Sequence, residues 1–99
     1  MKAIGWITIL ALAGVVLSGG ARAQDQRGVI MANTCHSCHG TDGRSVGAMP
    51  PIAGKSADYI VDTLKKFRDG KKPSTVMARI AKGFSDAEIV ALAKHFAQQ

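Results

Sequence analysis

The chain has only two cysteines, Cys35 and Cys38, and they are near neighbours. No third thiol exists for a structural disulfide. No second Cys/His cluster exists either, which argues against structural zinc, whose four ligands come from two such groups. The pair lacks the βαβ setting of a thioredoxin-like redox centre. No convincing strand, internal repeat or low-complexity tract follows the first 23 residues. The formal net charge of +6 is too weak and diffuse to argue for nucleic acid. A domain this short buries a limited apolar core and commonly needs a staple.

What is present is Cys35-His36-Ser37-Cys38-His39. Two cysteines separated by two residues and followed at once by histidine form the attachment signature of a c-type haem. Thiols one helical turn apart can each add to one of two vinyl groups on the same porphyrin edge. The adjacent His39 imidazole is then held as an axial ligand. A covalent haem is also a large apolar plate around which a few helices can pack, and so supplies the missing staple.

Residues 1–23 read as an export signal. Lys2 is a short positive start, and Ala3 to Leu17 is almost wholly apolar. Ser18-Gly19-Gly20 is expected to break the helix, and Ala21-Arg22-Ala23 fits a small-x-small cleavage site. Cleavage after Ala23 leaves a single domain, residues 24–99, in the periplasm, where haem is joined to such motifs after export. The competing reading is an uncleaved anchor, since the uncharged stretch is close to the ~20 residues a bilayer requires. Losing Lys2 and Arg22 leaves a charge of +4, and two haem propionates lower it to about +2, mildly favourable to an acidic partner.

The mature part reads as all-α, with about four helices. The first spans about Asp25 to Thr34 and delivers Cys35; Gly28 inside it costs up to ~1 kcal/mol relative to alanine. A long loop rich in Gly and Pro runs from Gly40 through Pro50-Pro51-Ile52-Ala53-Gly54, as expected of a segment that wraps something. The second helix starts near Ser56 and carries Ile60, Leu64 and Phe67 as one apolar stripe, with Gly70 as its stop. A short third helix lies near Thr75 to Lys82. The fourth opens with a Ser85…Glu88 capping box and a Phe84/Ile89 staple, followed by Ile89, Leu92, Ala93 and Phe96 at helical spacing.

An electron-transfer haem expects methionine as its second axial ligand, because a thioether raises the reduction potential and closes the site. Met31 lies one turn before Cys35 and reads as core. Met49 precedes Pro50 in the wrapping loop, and chain reach does not exclude it. Met77 follows a lysine-and-proline turn, on a separate segment able to reach the opposite face.

Four stretches together resemble a known family: Cys35 to Gly40, Pro50 to Gly54, Tyr59 to Phe67 and Thr75 to Ser85. The chain is similar to small bacterial class I c-type cytochromes, above all to the cytochrome subunit of flavocytochrome c sulfide dehydrogenase and to related di-haem cytochromes. The resemblance implies the small class I cytochrome c fold around one covalent haem c. It implies Cys35 and Cys38 as thioether links, with His39 as proximal and Met77 as distal ligand. It implies that a proline carbonyl, of Pro50 or alternatively Pro51, accepts a hydrogen bond from the His39 imidazole, placing the Met49 loop on the histidine side. It also implies that the first and last helices cross at Gly28, against Leu92 or Phe96.

Other residues read more plainly. His36 and His95 are expected at the surface, and Tyr59 either packs or meets a propionate. Lys65, Lys66, Arg68, Lys71 and Lys72 form a basic helix end that complements the macrodipole, or a docking patch for an acidic redox partner. Three functions follow: an electron-transfer module, as haem subunit of a flavoprotein dehydrogenase acting on reduced sulfur or as a free carrier; a haem enzyme or gas sensor with an open sixth position; or a haem-free thiol or metal protein. The first is the expectation.

Overall fold

A computed structural model describes the backbone of residues 7–99 and the side chains of residues 23–99. Of the expected export signal, residues 1–23, all but Ala23 lie outside the fully described residues. Among the described residues no helix is long and apolar enough to cross a membrane. They form four α-helices, α1 (Ile7–His39), α2 (Ala57–Arg68), α3 (Met77–Ala81) and α4 (Asp86–Ala97), and a 3₁₀ turn at Thr41–Gly43. No strand occurs among them, which agrees with the all-α expectation.

Helix α1 differs from expectation at both ends. It passes through Ser18-Gly19-Gly20 without interruption; two glycines weaken a helix by ~1 kcal/mol each but do not forbid it. It also continues through the cysteine motif to His39, because the first left-handed residue is Gly40, at φ 84°. The motif is therefore the last turn and a half of the helix, which ends at His39 rather than near the expected Thr34.

The other starts follow local chemistry. The Ser56 hydroxyl accepts from the Tyr59 N–H at 3.1 Å and caps α2. The Ser74 hydroxyl accepts from the Ala78 N–H at 2.9 Å and starts the short α3. At α4 the capping box is complete: the Ser85 hydroxyl accepts from the Glu88 N–H at 3.2 Å, and the Glu88 carboxylate accepts from the Ser85 N–H at 3.0 Å. The Glu88 carboxyl is held below its ordinary value by the Ser85 backbone bond first.

The core is built where α1, α2 and α4 meet, from Ala32, Ile60, Leu92, Ala93 and Phe96. Gly28 makes the α1/α4 crossing possible. A Cβ placed there would stand 2.7 Å from the Ala91 carbonyl oxygen. The crossing partner is thus Ala91, not Leu92 or Phe96, which belong to the core cluster instead. Asp25–Lys94 (2.7 Å) and Arg27–Glu88 (3.1 Å) flank the crossing, exposed and so worth little individually. Arg68 joins the end of α2 to the start of α4 through Asp86; its guanidinium is the main cause that holds the Asp86 carboxyl below the ordinary range.

Candidate functional site

Between the end of α1, the loop before α2, and the faces of α2, α3 and α4 lies an apolar cavity of about 320 Å³. Cys35, Cys38, His39 and Met77 all border it. They come from two segments that are far apart in the sequence. The last turn of α1 delivers the cysteines and His39, and the start of α3 delivers Met77.

His39 is the best-defined group of the site. It is the one buried polar side chain among the described residues, 8% exposed. Its Nδ1 lies 2.7 Å from the Pro50 carbonyl oxygen. A carbonyl can only accept, so Nδ1 carries the proton and Nε2 keeps its lone pair for a metal. The loop reaches this position because the Gly43 carbonyl accepts from the Ile52 and Ala53 N–H groups at 2.9 and 3.1 Å. Gly43 has φ 77°, and a Cβ there would stand 2.6 Å from Ile52 Cγ1 and 2.9 Å from Phe96 Cδ1. Only glycine satisfies both the turn and the packing.

The cavity walls follow the sequence pattern. The α2 stripe Ile60, Leu64 and Phe67 faces it, as do Leu92 and Phe96 from α4. Met49 borders it too, whereas Met31 packs against the core, as expected. Tyr59 lies at the rim, half exposed, under the Lys55 ammonium at 5.3 Å from the ring centroid. Lys72 reaches the same rim, 5.3 Å from the Phe67 ring centroid. Of the remaining basic residues at the α2 end, Lys66 pairs with Asp62 at 2.9 Å and Arg68 with Asp86 at 2.6 Å. Burial pushes the Cys35 thiol above its ordinary pKa.

Two histidines depart from expectation. His36 and His95 are half-buried rather than exposed; their rings lie 6.4 Å apart, and both meet Phe96 edge-on. Nothing in the local pattern of α4 shows this, because it depends on how α4 is rotated against α1.

A helical chain that gathers two cysteines, a locked histidine and a methionine around one apolar cavity has the form of a small class I c-type cytochrome. The chain belongs to the cytochrome c family: residues 22–96 match the family model described as cytochrome c oxidase, cbb3-type, subunit III. It is 46% identical over 72 residues to the cytochrome subunit of sulfide dehydrogenase of Chlorobaculum tepidum, covering 73% of this chain and 66% of that one. It is 43% identical over 67 residues to the thiosulfate dehydrogenase electron acceptor of Stutzerimonas stutzeri, covering 64% and 31%. Among solved structures, the cytochrome c4 of Acidithiobacillus ferrooxidans superposes with a TM-score of 0.63 at 34% identity, covering 66% of this chain and 38% of that one. The chain therefore spans about two thirds, or less, of these relatives' lengths.

Membership makes this an electron-transfer protein with covalently bound haem c, and its size fits one haem. The residues present fit that group on their own chemistry. The cavity is apolar, its cysteines stand one helical turn apart, and its histidine is held in the tautomer that coordinates iron.

Proposed function

We propose that this chain is a periplasmic electron-transfer module with Cys35 and Cys38 as thioether links and a His39/Met77-ligated iron. The observation that carries this is the His39–Pro50 bond beside a cavity that Met77 borders from a separate segment. When bound, the haem supplies a one-electron ferric/ferrous couple. His39 presents Nε2, oriented by the Pro50 carbonyl. Met49 is the neighbour of Pro50 in the chain and is thereby held near the imidazole, whereas Met77 enters from α3. Met77 would be the second residue to hold the iron, and a histidine–thioether pair would favour electron transfer over substrate chemistry or gas sensing. Ile60, Leu64 and Phe67 keep water from the site. Lys55 and Lys72, at the rim, offer cationic partners to the propionates.

The electron donor is best read as a flavoprotein dehydrogenase acting on reduced sulfur, with this chain as its haem subunit. The likeness to the sulfide dehydrogenase subunit supports this reading. A free carrier in sulfur oxidation is the second reading, favoured by the likeness to a thiosulfate dehydrogenase electron acceptor. Native purification from periplasm discriminates the two. Co-elution with a flavoprotein that reduces the haem on addition of sulfide supports the subunit reading. A solitary cytochrome, together with wild-type sulfide oxidation in a deletion strain, rejects it. The same sample tests the proposed export signal: cleavage after Ala23 gives a mature N-terminus at Gln24.

A further inference from the structure

Outside the residues that border the haem cavity, three side chains from three elements converge: His36 from α1, Asp42 from the 3₁₀ turn and His95 from α4. One ligand atom from each lies within 4.8 Å of the others. The Nε2 atoms of His36 and His95 are buried and have no hydrogen-bond partner. The Asp42 carboxylate stands 4.0 Å from His36 Nε2, too far for a hydrogen bond. Buried polar atoms are normally satisfied, so two orphaned imidazole nitrogens in one cluster need an explanation.

We infer that His36, Asp42 and His95 form a binding site for a divalent transition-metal ion, distinct from the haem iron. Two imidazoles and one carboxylate are the donor set of zinc and its first-row neighbours rather than of calcium or magnesium. Such an ion sits about 2.0–2.2 Å from each donor, so tetrahedral donors stand about 3.4 Å apart. From the observed spacing, side-chain shifts on the order of an ångström complete the set. One ion satisfies both orphaned nitrogens at once.

The surroundings favour the assembly. Phe96, fully buried, meets both rings edge-on, at centroid distances of 6.1 Å to His36 and 5.1 Å to His95, and so restricts their orientation. Asp42 is the only non-glycine residue with positive φ (56°) among the described residues, a conformation aspartate tolerates and one that turns the chain back beside His36. Its side chain is about half exposed (47%), which leaves an entry path from solvent. The bound ion ties α1 to α4 at the end of the crossing opposite Gly28.

The test is calorimetric titration of the untagged holoprotein with Zn²⁺, with His36→Gln, His95→Gln and Asp42→Asn in parallel. The chain has three histidines, and the third, His39, is assigned to the haem. The expected result is one Zn²⁺ per haem, with binding weakened at least about tenfold by each histidine substitution and measurably by Asp42→Asn. An unchanged Soret spectrum establishes that each variant still holds its haem. Absence of saturable binding by the wild-type protein overturns the proposal, as does binding that survives both histidine substitutions in haem-loaded protein.

Discussion

His39 Nδ1 lies 2.7 Å from the Pro50 carbonyl oxygen, eleven residues further along the chain. That contact couples a helix end to a loop, and it does so through the backbone. It therefore resists side-chain substitution at position 50 but depends on how rigidly the loop is held. Pro50→Ala keeps the carbonyl and releases the ring constraint. The expected result is a retained low-spin haem spectrum and a stability loss of about 0.4–1 kcal/mol, through the greater freedom of the unfolded chain. The reduction potential should rise, because a longer bond withdraws less proton from the imidazole and makes it a poorer electron donor to iron. Denaturant titration and voltammetry check the two effects separately.

Gly28→Ala tests the helix crossing. Alanine is the better helix former by ~1 kcal/mol, but its Cβ would meet the Ala91 carbonyl oxygen at 2.7 Å, a backbone atom that cannot rotate away. Overpacking of this kind costs about 1–3 kcal/mol, so the net effect is destabilising by up to ~2 kcal/mol, seen as a lower melting temperature. Gly47→Ala is the control: nothing stands within 4 Å of its Cβ, and it should leave stability unchanged.

The start of α4 sets an acid limit. Glu88 is held below its ordinary value of 4.5 by the Ser85 bonds, and Asp86 below 3.8 by Arg68. Because both folded-state values are depressed, the unfolded chain takes up these protons first as pH falls. Their stabilisation is complete above about pH 4.5 and is lost as pH drops through the lowered values. Ser85→Ala should cost about 1 kcal/mol at pH 7, and the gap to wild type should narrow steadily below pH 4 as Glu88 is protonated. A gap independent of pH would show that the Glu88 carboxylate takes no part in the cap.

These elements differ in how far local residues determine them. The Ser85…Glu88 cap, the Ser56 start and the α2 stripe were readable because each depends on residues within a turn or two of one another. Haem c as the cofactor was readable because the Cys35-to-His39 signature is contiguous in the sequence. The Gly28 partner was misplaced on Leu92 or Phe96, since the register of a helix crossing depends on side chains from both helices. The half-burial of His36 and His95 has the same origin: Phe96 draws both rings inward, and no periodicity in α4 foretells it. At Ser18-Gly19-Gly20 the opposite error arose, where a modest helix penalty was taken as a break.

The central claim is an iron closed by His39 and Met77. Both Met77 and Met49 border the cavity, so the direct measurement is the near-infrared absorption of the oxidised protein, in wild type, Met77→Ala and Met49→Ala. The expected result is a thioether–ferric iron charge-transfer band in wild type and Met49→Ala. In Met77→Ala that band should vanish, with a lower reduction potential and new binding of external ligands. A wild-type protein without the band, or a Met77→Ala protein that keeps it, would contradict the account.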